Sequence, residues 1–155
     1  MRLQAPPLMK LLLFGLLLYL IALLYLYIFQ ERLIFRPDLA PKEVELPKGA
    51  KQLFIEGIEV GIMDRKSDGT IFYFGGNADN ALRALGYFSD LPYNIVSFNY
   101  PGFGHSKGNP SQEAILEAAK KIFDRFKTKK NILIGRSLGS GVAGYIAANY
   151  PVQGL

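Results

Sequence analysis

Asn131-Ile132-Leu133-Ile134-Gly135-Arg136-Ser137-Leu138-Gly139-Ser140-Gly141-Val142-Ala143 is the stretch on which the reading of this chain turns. A short apolar strand at 131–134 runs into a G-x-S-x-G turn. A helix of small residues follows over 137–149, closed by Tyr150-Pro151. Bulky side chains beside the serine would clash in so sharp a turn, and Gly135 and Gly139 relieve the clash. Strained backbone at Ser137 is expected to lift its hydroxyl above the C-terminal edge of a sheet. The helix that starts there turns its positive end towards developing negative charge. In that context Ser137 is a candidate nucleophile and the backbone N–H of Leu138 a candidate oxyanion donor.

A second pattern overlaps the first. Gly139-Ser140-Gly141-Val142-Ala143-Gly144 matches G-x-G-x-x-G, the phosphate-binding turn of dinucleotide sites. That turn should open at the strand end and be followed about twenty residues later by an acid. Here the first glycine lies five residues past Ile134, and no acid follows it. The small residues are better read as letting the helix approach the sheet closely.

Working outward, 94–100 is an apolar strand ended by Pro101-Gly102-Phe103-Gly104. Ser111 is placed to cap a helix with Glu113 in its first turn. Ala114, Ile115, Ala118, Ala119, Ile122, Phe123 and Phe126 then share one face. Thr70-Ile71-Phe72-Tyr73-Phe74 reads as a buried strand entering Gly75-Gly76-Asn77. Leu82, Leu85 and Phe88 have helical spacing within 80–91, and 52–56 and 59–63 read as two strands around Gly57-Ile58. Apolar strands alternating with helices predict an α/β domain, a mostly parallel sheet with helices on both faces.

At the other end, 11–30 is twenty residues without a charge. As a helix it would extend about 30 Å, the thickness of a bilayer's hydrocarbon layer. It is too long, and too bulky where small residues are required, for a cleavable signal peptide. The organisation expected is a tail at 1–10, a transmembrane anchor at 11–30, a proline-broken connector at 31–50 and the α/β domain at 51–155, with the lipid bilayer as a partner through 11–30. Basic residues flank the span on both sides. The short N-terminal tail favours a globular part on the non-cytoplasmic side.

Composition narrows the classes further. The formal net charge is +5, of which Arg2 and Lys10 carry two. What remains is an ordinary surface and argues against nucleic acid as a partner. Lys120, Lys121, Arg125, Lys127, Lys129 and Lys130 form a basic stretch, read as a solvated helix face, with anionic lipid headgroups as the alternative. The absence of cysteine excludes disulfides and thiolate metal sites.

Several motifs together resemble those of α/β-hydrolases with a single N-terminal membrane span. Phe72-Tyr73-Phe74-Gly75-Gly76-Asn77-Ala78-Asp79-Asn80 is similar to their F-x-F-H-G-N-A-x-N segment. The stretch from Asn99-Tyr100-Pro101-Gly102-Phe103-Gly104 to Gly108 is similar to their D-Y-R-G-Y-G-x-S-x-G loop. Asn109-Pro110-Ser111-Gln112-Glu113 resembles the helix start that follows, and Gln30-Glu31-Arg32-Leu33-Ile34-Phe35-Arg36-Pro37 the sequence after the anchor. The resemblance implies a partial α/β-hydrolase fold. It also implies serine-dependent hydrolysis of an ester, thioester or amide without cofactor or metal, and a second oxyanion N–H from Asn77. Two positions depart from the pattern. Gly75 stands where a histidine usually orders the loop, so a looser oxyanion hole is expected, and Asn99 replaces an aspartate.

In this fold the order is Ser, then acid, then His. The eighteen residues after Ser137 contain neither. His105, the single histidine, is read as a solvent-facing loop residue rather than a substitute base, and Asp79 as a surface charge. The resemblance implies an eight-stranded sheet with the Ser137 strand near its middle, whereas this chain stops where the next strand would begin. The expectation is therefore a truncated hydrolase, inactive alone. The alternatives are one half of a split enzyme completed by a C-terminal polypeptide, or a membrane-tethered binding module that reuses the fold.

Overall fold

The computed structural model describes residues 6–155 and divides between Ile34 and Phe35 into two compact units. The first unit contains α1 (Pro7–Ile34), a single helix long and apolar enough to cross a membrane. At 28 residues it is about 42 Å long. It reaches beyond the charge-free run at both ends, taking in 7–10, expected as tail, and 31–34, expected as connector. Pro7 suits a first helical turn, where its missing N–H costs nothing. Gln30, Glu31 and Arg32 are good helix formers, so loss of hydrophobicity does not stop the helix. Pro37 lies three residues past its end and biases Arg36 away from helix. Residues 1–5 of the expected tail lie outside the described residues.

The second unit is a five-stranded sheet with β1 (Lys51–Ile55), β2 (Ile58–Met63), β3 (Gly69–Phe74), β4 (Asn94–Phe98) and β5 (Lys130–Gly135) in the order β1-β2-β4-β3-β5. β1 and β2 form an antiparallel hairpin, and β2 joins β4 antiparallel. β4, β3 and β5 run parallel. The hairpin turns at Glu56-Gly57, both with positive φ (49° and 85°), as a tight two-residue turn matched to strand twist requires.

Alternation along β3 separates the two faces. Phe72 and Phe74, with Val96, Phe98 and Leu133, join the main core beneath α3 (Gln112–Phe126) and α4 (Leu138–Asn149). The Phe72 and Phe123 rings lie 4.8 Å apart. On the opposite face Tyr73, Ile95 and Ile134 meet a 3₁₀ turn (Ala81–Arg83) and α2 (Ala84–Tyr87). The helix expected over 80–91 is thus only a 3₁₀ turn and a single α-turn. Leu82 and Leu85 still bury fully, over the surface that Gly61 leaves open. The apolar spacing was real, but Gly86 and the early cap at Phe88 leave no room for further turns.

One further expectation changes. The segment at 31–50 is not a free connector, because Phe35 and Ala40 are buried with the main core. β5 is the outermost of the five strands, the edge position expected for it in this chain. Its outer edge is partly occupied: Gln153 N–H donates to Asn131 O (2.8 Å) and Leu133 N–H to Gly154 O (3.0 Å), in parallel register.

Candidate active site

Ser137 stands between β5 and α4 with φ 52° and ψ −118°, and its side chain makes no capping bond to the helix. A non-glycine residue at positive φ is costly and persists only where its surroundings impose it. The surroundings are specific. A Cβ at Gly135 would lie 2.6 Å from Gly139 O and from Ser140 Cα, and one at Gly139 would overlap the Phe74 carbonyl. These two glycines allow β5 to reverse directly into α4 and press the first turn of α4 against the end of β3. Arg136 N–H donates to Phe74 O (3.0 Å), and Gly139 and Ser140 N–H donate to Arg136 O and Ser137 O (both 2.9 Å). Ser137 is left exposed at the corner. Leu138 is the first residue of α4, so its N–H is among those at a helix start without an intrahelical acceptor.

The loop after β3 comes alongside. A Cβ on Gly76 would be 3.6 Å from Ser137 Cβ and 3.5 Å from Arg136 O, which puts the residue before Asn77 in contact range of the serine. Gly75 sits close under Ala81, where a Cβ would meet Ala81 Cβ at 3.0 Å. The loop is tied by other groups than a side chain at 75. Tyr100 Oη–H donates to Gly75 O (3.0 Å), Asp79 N–H to Gly76 O (3.3 Å) and Arg36 N–H to Asn77 Oδ1 (2.9 Å).

Asp79 is a buried acid, not a surface residue. Its Oδ2 accepts from Tyr73 Oη (3.1 Å) and pairs with Arg136 (3.4 Å), whose side chain is 64% exposed. Burial, together with the Asp79 charge, pushes the Tyr73 phenol up to about 12. Burial also raises Tyr100. The bond to Tyr73 and the charge of Asp79 raise Arg136. Arg136 therefore stays cationic beside the serine, and both tyrosines stay protonated donors near neutral pH.

His105 is partly exposed, as read. Its ring pairs with Glu43 (2.8 Å), while its backbone N–H donates to Glu59 Oε2 (2.8 Å). Buried Glu59 is a hub that sequence reasoning missed. Its carboxylate also accepts from Asn99 Nδ2 (2.7 Å) and Gln52 Nε2 (2.5 Å). This accounts for Asn99 in place of aspartate, since an acid there would face Glu59 at hydrogen-bond distance and forfeit the donor. No local pattern marks Glu59, because its partners lie 7, 40 and 46 residues away. On α3 Lys121 pairs with Glu56 and Glu117 and Lys120 lies over the Tyr145 ring, and just past its end Lys127 pairs with Asp124.

Parallel β4, β3 and β5 with α3 and α4 packed against them make this unit an α/β domain. The family described as alpha/beta hydrolase fold matches residues 74–153, and the chain belongs to it. It is 34% identical over 82 residues to the lysophosphatidylserine lipase ABHD12 of Xenopus tropicalis, covering 47% of this chain and 21% of that protein. It is 28% identical over 150 residues to the alpha/beta hydrolase domain-containing protein WAV2 of Arabidopsis thaliana, covering 79% and 48%. Among solved structures it resembles an esterase of Pyrococcus furiosus with a TM-score of 0.54 at 20% identity, covering 69% and 49%. The chain thus spans about a fifth of the length of the lipase and about half of the other two.

Proposed function

We propose that Ser137 is the nucleophile of a membrane-anchored serine hydrolase acting on esters, thioesters or amides, with the N–H groups of Leu138 and Asn77 as oxyanion donors. The observation that carries this reading is the strained, uncapped and exposed Ser137 at the start of a twelve-residue helix. As a base takes its proton, the hydroxyl oxygen would add to a carbonyl carbon, and the C=O π pair would move onto an oxyanion facing the helix N-terminus and the Gly75-Gly76-Asn77 loop. Collapse would expel the protonated alcohol, thiol or amine and leave an acyl-serine that water hydrolyses. Similarity to a lysophosphatidylserine lipase favours an amphiphilic ester as the substrate class, which suits an anchor through α1.

The serine needs a base to become a useful nucleophile at neutral pH. The eighteen residues of this chain after Ser137 contain neither an acid nor a histidine, and the ring contact of His105 in the structure is to Glu43 rather than to Ser137. The 155-residue chain assayed alone is therefore expected to hydrolyse a short-chain activated ester at near-background rates, equal in Ser137→Ala and His105→Ala. A split arrangement has one observation in its favour. This chain's own Gln153 and Gly154 cover the outer edge of β5 by a single isolated bridge, and a further polypeptide extending that pairing would bring the acid and histidine.

Imidazole added as an external base tests the nucleophile itself. It should generate ester turnover and an acyl adduct on Ser137 in this chain, above the level in Ser137→Ala. Equal turnover in the two proteins, with no adduct, would sink the assignment. Robust turnover without imidazole, abolished by His105→Ala, would make His105 the base.

A further inference from the structure

We infer that residues 35–43, immediately after the apolar helix, form one wall of the oxyanion loop, with the side chains of Asn77 and Asn80 gripping that segment and so fixing where the Asn77 N–H points. The inference rests on the assignment of Ser137 and Asn77 above.

The loop needs such a support. It opens with Gly75-Gly76, the pair with the greatest backbone freedom. A useful oxyanion donor must be held to about half an ångström. Arg36 N–H donates to Asn77 Oδ1 (2.9 Å). The Asn77 side chain is short, so fixing its oxygen restricts the two torsions that link it to its own backbone. Three residues on, fully buried Asn80 spends both amide hydrogens on the same segment, donating to Pro41 O and Lys42 O (3.0 Å each). Its Oδ1 accepts from Leu82 N–H (3.2 Å) and from Asn99 Nδ2 (3.0 Å), which ties the grip to Glu59 and the sheet. The segment being gripped is itself anchored. Phe35 and Ala40 lie in the main core, the 3₁₀ turn Pro37–Leu39 spans the gap between them, and Glu43 pairs with His105. Asn77 is thus a positioning residue through its side chain as well as a proposed donor through its backbone.

Amide hydrogen exchange on the full chain in detergent micelles tests this. Asn77→Ala removes the acceptor and should speed exchange at Arg36 and at 76–79 by about tenfold. The melting temperature should hardly move, because the lost bond is exposed. Asn77→Asp keeps an acceptor oxygen and should restore protection to within about twofold. If Asn77→Ala unfolds the domain, Phe35→Leu is the second probe. It trims the buried side chain that anchors 35–43 and should speed exchange at Arg36 and 76–79 while leaving Ile95, in the cluster on the other face of the sheet, unchanged. Unchanged exchange in Asn77→Ala, failure of Asn77→Asp to restore it, or a uniform rise in Phe35→Leu would overturn the inference. Exchange reads the wall whether or not Ser137 reacts, and the imidazole assay reads Ser137 whether or not the wall holds, so the two failures are distinct.

Discussion

Glycines in the same helix meet opposite surroundings. Gly139 faces the end of β3, where an added Cβ would overlap the Phe74 carbonyl and lie 2.7 Å from Gly75 O, whereas nothing lies within 4 Å of a Cβ on Gly141 or Gly144. The close approach of α4 to the sheet therefore depends on Gly139 and Gly135, not on the whole small-residue run. Gly139→Ala should destabilise the domain by roughly 3 kcal/mol, since backbone on both sides must move. Gly144→Ala should instead stabilise it by up to about 1 kcal/mol, the ordinary gain of alanine over glycine in a helix. Urea unfolding midpoints of the two variants check the pair. Loss of stability in both would mean that α4 packs closely along its whole length.

At the scale of elements, α3 is stabilised by its start as well as by its apolar face. Ser111 Oγ accepts from Ala114 N–H (3.1 Å), and Glu113 sits in the first turn. Ser111→Ala should cost about 1 kcal/mol, and Ser111→Asp, which keeps an acceptor, should cost little. Thermal melts of the two read this directly, and equal losses would show that the cap contributes nothing. α2 shows the contrary case. Its apolar spacing was visible, yet it closes after one turn. Leu82 and Leu85 bury fully where Gly61 makes room, and Gly86 brings no helix propensity to extend it.

At the scale of the whole molecule, the apolar helix ends at Ile34 and Phe35 already belongs to the core of the second unit. With α1 read as an anchor, the chain should remain in the membrane pellet after carbonate extraction, and a chain beginning at Phe35 should not. Release of the full chain into the supernatant would count against the anchor. A cut placed beyond residue 43 would remove the backbone groups of Arg36, Pro41 and Lys42 to which Asn77 and Asn80 bond.

Sequence by itself determined what depends on local periodicity and on turn chemistry. The five strands, the two long helices and the apolar N-terminal helix are all of this kind, as is the G-x-S-x-G corner with Ser137 at its apex. Such features are written in neighbours two to four residues apart. Tertiary structure alone decided which side chains meet across the chain. Glu59 gathers Gln52, Asn99 and the His105 amide, Asp79 is buried against Tyr73 and Arg136, and Arg36 is held by Asn77. Those pairings have no period in the sequence. They exist because folding brings the ends of β2, β3 and β4 to one edge of the sheet, where buried polar groups must find partners from whatever the topology places beside them.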